Sequence, residues 1–154
     1  MIEESAQEAS VVGIKCILDW IAPTYHPAAI KSALESSAMA GNVDVFRYLL
    51  PLNPDPYVGK DVLYFAVEGG VPIWEALLEF NHDIMNWGIG HYGDVLGVAL
   101  HMGRGDLVAF FLERGIDISQ SSFMGMPILP FAKRTKGVTQ ETIDLLVKYG
   151  AKED

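Results

Sequence analysis

The chain has 154 residues, half of them hydrophobic, and a formal net charge of −9 at pH 7, which is enough material for a core of ordinary size. An acidic balance opposes binding to phosphate backbones, which requires clustered Lys and Arg to displace counterions, so no nucleic acid is expected as a partner. No run reaches the ~18 uninterrupted apolar residues of a membrane span, and the acidic start Met1-Ile2-Glu3-Glu4 lacks the basic and apolar regions of a secretion signal. No membrane association is expected, and the location expected is intracellular, cytoplasmic or nuclear.

Residues 6 to 22 carry Val11, Val12, Ile14, Ile17, Leu18 and Ile21 among Glu8, Lys15 and Asp19. They are expected to form one or two helices of a worn first unit, residues 1–24, acting as an N-terminal cap sealed by Trp20. Cys16 sits amid Ile14, Ile17 and Leu18 and reads as a packed thiol. Units 25–53, 54–83, 84–118 and 119–154 follow, each with two short helices. The first helix of each shows an apolar i, i+4 pair on one face: Leu34 with Ala38, Val62 with Ala66, Leu96 with Leu100, and Ile128 with Ala132.

The second helices close on Asn53, Asn81, Gly115 and Gly150, at separations of 28, 34 and 35. Three residues before each anchor stand Leu50, Leu78, Leu112 and Val147, and seven before stand Phe46, Trp74, Val108 and Ile143. Asn and Gly are the residues that tolerate the left-handed backbone just past a helix end, so all four anchors are expected there.

The connecting loops differ. Pro54 to Asp61 is short and holds two prolines, whereas His82 to Val95 is full length, with Met85, Trp87, His91 and Tyr92, and with Gly88, Gly90 and Gly93 permitting a hairpin. A short wall beside a long aromatic one suggests a pocket. Lys133-Arg134-Thr135-Lys136 is expected in a solvated loop inside the last unit. Thr139-Gln140-Glu141-Thr142 opens a final helix with its early acid suited to the helix dipole. Its Ile143, Leu146 and Val147 are expected to face inward and its Asp144, Lys148 and Lys152 to face water, completing a single domain.

The third unit, Gly93-Asp94-Val95-Leu96-Gly97-Val98-Ala99-Leu100-His101-Met102-Gly103, then Leu107-Val108, Phe111-Leu112, Gly115 and Asp117, resembles the ankyrin repeat, whose period is about 33 residues. The resemblance covers roughly residues 25 to 154. The usual Thr-Pro-Leu-His opening survives only as Ser32-Ala33-Leu34 and Met126-Pro127-Ile128. The resemblance implies an all-α ankyrin-repeat solenoid of stacked helix-turn-helix units with short finger loops. It also implies that fingers and first helices line a concave, partner-gripping face. By position that face should hold Ser36, Met39 and Ala40, then Tyr64, Val67 and Glu68, then Val98, His101 and Met102, then Pro130 and Lys133.

The function expected is a non-covalent binding module for a protein or peptide, contacted through Met39, Tyr64, Val67, Glu68, Trp87, His91, Tyr92, Val98, His101 and Met102. The alternative is an apolar groove that holds a small molecule, either in a binding protein or in an enzyme of cyclase or isomerase type. Glu68 and His101 would then work as acid and base beside Tyr64 and Asp94, since an imidazole oriented by a carboxylate suits proton transfer near neutral pH. No cofactor is expected. No metal is expected either, because His82 and His91 lie nine apart on a loop and His101 has no ligand at i+3 or i+4. Asp83, Asp94 and Asp117 read as turn and cap residues.

Overall fold

The computed structural model describes residues 10–55 and 57–153. The expectations placed on the first nine residues, including Glu8, and on Pro56 lie outside the described residues. The chain divides into two compact units between His82 and Asp83, and among the described residues no helix is long and apolar enough to cross a membrane.

The first unit holds α1 (Val11–Trp20), α2 (His26–Met39), α3 (Val43–Leu49), α4 (Lys60–Gly69) and α5 (Val71–Phe80). Ser10 caps α1 and Asn42 caps α3, each side chain accepting the amide three residues on, which satisfies an otherwise orphaned donor. At the α1–α2 corner the His26 ring lies 2.9 Å from the Leu18 carbonyl and 3.3 Å from that of Ile21, so its Nε2–H donates to the end of α1 and fixes the turn.

The second unit holds α6 (Val95–His101), α7 (Gly105–Glu113), α8 (Ile128–Arg134) and α9 (Gln140–Lys148). Its only regular strands among the described residues are β1 (Ser122–Phe123) and β2 (Met126–Pro127), paired antiparallel with Phe123 opposite Met126. Thr139 caps α9 by accepting the Thr142 amide.

The i, i+4 pairs of the first helices are the best-read part of the core. Leu34, Ala38, Val62, Ala66, Leu96, Leu100, Ile128 and Ala132 are all buried. Phe46, Trp74 and Val108 are fully buried as well, and Leu50, Leu78 and Leu112 nearly so. Val147 departs from the pattern at 52% exposed, because the inward stripe of α9 runs through Thr142 and Leu146. Asp144, Lys148 and Lys152 do face water.

The anchors split. Gly115 and Gly150 have φ of 81° and 97°, and each carries the paired bonds of a Schellman turn, Gly115 N–H to Leu112 and Ile116 N–H to Phe111, Gly150 N–H to Val147 and Ala151 N–H to Leu146. Asn53 and Asn81 are extended instead. At Asn53 the helix has already run into a 3-10 turn at Leu50–Leu52, with Pro51 inside it, and the Asn side chain closes a local turn on the amide and carbonyl of Asp55. Asn81 gives its amide to Leu77 as an ordinary last helical bond. The other two Schellman turns lie between the helices of a unit, at Gly41 and Gly103.

Four further expectations fail. Trp20 is 86% exposed and Cys16 is exposed, so neither seals nor packs in α1, whose inward positions are Ile14 and Leu18. Lys133 and Arg134 belong to the last turn of α8, where a positive charge complements the helix dipole. The segment from His82 forms two 3-10 turns, His82–Asn86 and Gly90–Tyr92, in place of a hairpin.

In the first unit α2 and α4 approach through small residues. A Cβ on Gly69 would lie 1.9 Å from the Ala38 carbonyl oxygen, whereas one on Gly115 meets nothing within 4 Å. Gly69→Ala is therefore expected to cost roughly 1–3 kcal/mol through overpacking, and Gly115→Ala about 1–2 kcal/mol through its left-handed backbone alone. Urea melts of the two variants check this, and a small effect at Gly69 would contradict the close approach.

Candidate partner-binding site

The second unit gathers aromatic rings around Phe123, itself only 5% exposed. The Phe131 centroid lies 4.5 Å away, that of His101 4.8 Å and that of Tyr92 6.2 Å, all three stacked. His91 continues the series 3.9 Å from Tyr92. The cluster reaches solvent through His91 and His101, both exposed, and through the half-buried Tyr92 and Phe131. Offset rings at such spacings attract one another beyond simple burial.

Backbone pairing holds the rings in place. The Met124 amide donates to the Tyr92 carbonyl at 3.2 Å, and Gly93 bridges to Phe123. This approach requires glycine twice, since a Cβ on Gly93 would lie 2.1 Å from the Ser122 carbonyl oxygen and one on Gly97 would lie 2.6 Å from it. At the tip of the hairpin stands Met124, 65% exposed with φ of 50°, a conformation uncommon for a residue other than glycine.

Asp94 ties the two fingers together. One carboxylate oxygen accepts the Gly97 amide at 2.8 Å and caps α6, and the other accepts the Ser122 amide at 3.2 Å. Burial raises its pKa above the ordinary 3.8, against a smaller opposing effect from the Gly97 and Ser122 amides and the Ser121 hydroxyl. Arg104 does the reverse to Asp106, gripping it through two nitrogens at 2.9 and 2.8 Å and holding its pKa below 3.8.

The remaining expected contacts are distributed as follows. In the first unit Tyr64 is half-buried and meets Phe65 edge to face at 5.9 Å, Glu68 is exposed one turn later, and Met39 is 39% exposed at the end of α2. Val67 and Val98 have no exposed surface and are core residues: α4 turns Val62, Ala66 and Val67 inward, and α6 is buried from Val95 to Leu100. Ser36 is buried too, with Ala40 exposed. In the second unit Met102 and Pro130 are half-buried and Lys133 is exposed. Trp87 is half-buried, its amide donates to the Ile84 carbonyl at 3.2 Å, and Ile84 and Met85 are buried, so Met85 is not a free contact.

Phe123, Met124 and Phe131 were not picked out by spacing. The signal for them was Gly93 and Gly97, whose separation of four clears one side of α6 for a crossing strand. Two clefts in this unit are open, one of about 650 Å³ bordered by Met85, Asn86, Asp94, Asp117 and Gln120, the other of about 280 Å³ bordered by Leu100, Arg104, Val138 and Thr142. Neither is lined by His101.

No protein-family profile matches the sequence, and no curated protein matches it. Among solved structures the ankyrin-repeat domain of human ASB11 is similar, with a TM-score of 0.53 and 21% identity, over 98% of this chain and 84% of that one. The fold is the ankyrin-repeat fold. Its helix pairs correspond to α2–α3 and α4–α5 in the first unit and to α6–α7 and α8–α9 in the second, and the aromatic cluster joins the first helices α6 and α8 to the fingers that precede them.

The opposite shifts of Asp94 and Asp106 are open to measurement. A raised folded-state pKa means that Asp94 binds a proton more readily folded than unfolded. Its share of stability is therefore present at low pH and lost as pH rises from about 3.8 through the folded value. The share of Asp106 is present above 3.8 and is lost as pH falls through its lowered value. In a carboxyl ¹³C titration Asp94 is expected to titrate above 3.8 and Asp106 below it, and the reverse order would show that the Ser122 tie is not buried.

Proposed function

We propose that the protein is a non-covalent binding module that takes a protein or peptide partner on its first helices and fingers, with the main anchor in the second unit at His91, Tyr92, His101 and Met102. The observation that carries this reading is the Phe123 cluster, which presents ring faces and two exposed imidazoles on backbone already locked by Gly93 and Asp94. Rigid aromatic anchors concentrate binding energy because little side-chain freedom remains to be lost. Trp87 and Met124 extend the contact within the second unit, and Met39, Tyr64 and Glu68 are the contact residues proposed for the first unit by itself. Val67 and Val98 support it from below.

An apolar small-molecule site or acid–base enzyme stands second. Asp94 is committed to two amides, which leaves Glu68, His101 and Tyr64 as the titratable side chains of that reading.

The test is recovery of partner proteins by cross-linking and mass spectrometry. His91→Ala and His101→Ala, both at exposed positions, should leave the melting temperature near that of the parent and lower recovery of the same protein by about tenfold each, the effect of losing roughly 1.4 kcal/mol. Unchanged recovery in both variants, or native mass spectra showing a retained small molecule in their place, would reject the proposal.

A further inference from the structure

The larger cleft of the second unit joins an apolar floor to an acidic wall. It lies between residues 85–94 and 115–122 and measures about 650 Å³, room for a side chain and the backbone that bears it. Met85 and Ile116, 7% and 8% exposed, form the floor, with Asp94 beside them and the exposed Asn86, Asp117 and Gln120 at the rim. Among the described residues no Lys, Arg or His lines the cleft, and neither Asp94 nor Asp117 is ion-paired. Arg114, next to the cleft in sequence, sets its guanidinium 3.6 Å from the Phe110 ring centroid instead. The Asp94 oxygens take the Gly97 and Ser122 amides, so Asp94 contributes charge. Asp117 gives one oxygen to the Ser119 amide and hydroxyl, at 3.0 and 2.7 Å. Its other oxygen is open to a donor.

We infer that this cleft takes an arginine side chain of the protein or peptide partner, a refinement that rests on the function proposed above. Long cationic side chains lay their methylenes on apolar surface and keep the charged head among polar groups, which matches Met85 and Ile116 below and the carboxylates beside them. An anion is repelled by both carboxylates, and a wholly apolar ligand would cover Asp94 without compensation. Arginine suits the opening better than lysine. Acceptors stand on both sides of it, Asn86 on one and Asp117 and Gln120 on the other, and a planar fork of five donors reaches several acceptors where an ammonium acts as a point charge. None of His91, Tyr92, His101 and Phe123 borders the cleft. The arginine contact and the ring contact are therefore separable.

The probe is N-acetyl-arginine methylamide, titrated at matched ionic strength into the ¹⁵N-labelled chain. The amide signals of Asn86, Asp117, Gln120 and Ser122 should shift to saturation with a Kd of about 1–10 mM, as expected for so small a ligand. The uncharged N-acetyl-citrulline methylamide should bind about tenfold more weakly, because it lacks the charge-assisted bonds. Asp117→Asn, which keeps an acceptor for the Ser119 turn, should weaken arginine binding about two- to fivefold, the range of an exposed ion pair. Gln120→Lys, which adds an ammonium at the rim, should weaken it about fivefold or more, and should lower recovery of the cross-linked partner as well. Both variants replace exposed residues and should melt near the parent. No saturable shift overturns the proposal, as does a citrulline or N-acetyl-lysine methylamide that binds as tightly as arginine, or Gln120→Lys with arginine binding or partner recovery unchanged. His91→Ala and His101→Ala should leave arginine binding intact, so their effect on partner recovery judges the ring contact separately.

Discussion

In each unit the packing depends on places where backbone must approach closer than any side chain allows. In the first, Gly69 of α4 lies against the Ala38 carbonyl of α2, and the neighbours on both sides are small or apolar: Ser37, Ala38 and Gly41 on one, Ala66 and Gly70 on the other. In the second, Gly93 and Gly97 receive the Ser122 carbonyl. Helices that meet through small residues bring their larger neighbours into register, which is why Leu34 and Val62 in the first unit and Leu96 and Ile128 in the second are so completely buried. The same approach in the second unit sets Phe123 where it can touch three rings. Core and candidate site thus share one cause.

Asp94 shows how that constraint becomes chemistry. Its carboxylate could cap α6 from solvent, as Asn42 and Thr139 cap their helices, yet the approach of Ser122 buries it and supplies a second amide. Burial disfavours the charge and the amides favour it, with burial the larger effect. The residue is spent on holding two fingers together. That commitment gives the rings around Phe123 fixed neighbours, the condition under which aromatic faces bind without a large ordering loss.

Much of this was legible from residue spacing, and what was not has definite causes. The i, i+4 pairs of the first helices identify core positions because a helix has one inward face, and all eight are buried. Asn53 and Asn81 resembled Gly115 and Gly150 only by position: Pro51 had already diverted the chain before Asn53, and Asn81 closes a regular turn. Glycines inside the units, Gly41 and Gly103, carry the remaining Schellman turns, since the tightest reversal lies between paired helices. In α1 Cys16 and Trp20 read as packed because apolar neighbours surround them in sequence, although only Ile14 and Leu18 lie on its packed face. Phe123 escaped notice because its role depends on a strand crossing α6, a contact 26 residues away in sequence from Gly97 that no periodicity encodes.

The distribution of charge sharpens what kind of contact the aromatic cluster can make. The segment up to His82 carries eleven Asp and Glu against four Lys and Arg, and the segment after it nine against seven, so the net charges are −7 and −2. Nearly all of the acidic excess therefore belongs to the first unit, where Glu68 stands exposed beside Tyr64. The second unit is close to balanced, and of its nine acids Asp94 is engaged with amides and Asp106 with Arg104. A partner held at His91, Tyr92 and His101 meets rings and imidazoles in a weak field. On the function proposed above, affinity there would rest on apolar and π contact, which salt barely screens, whereas exposed charges such as those of the first unit act over a Debye length of about 8 Å at physiological salt.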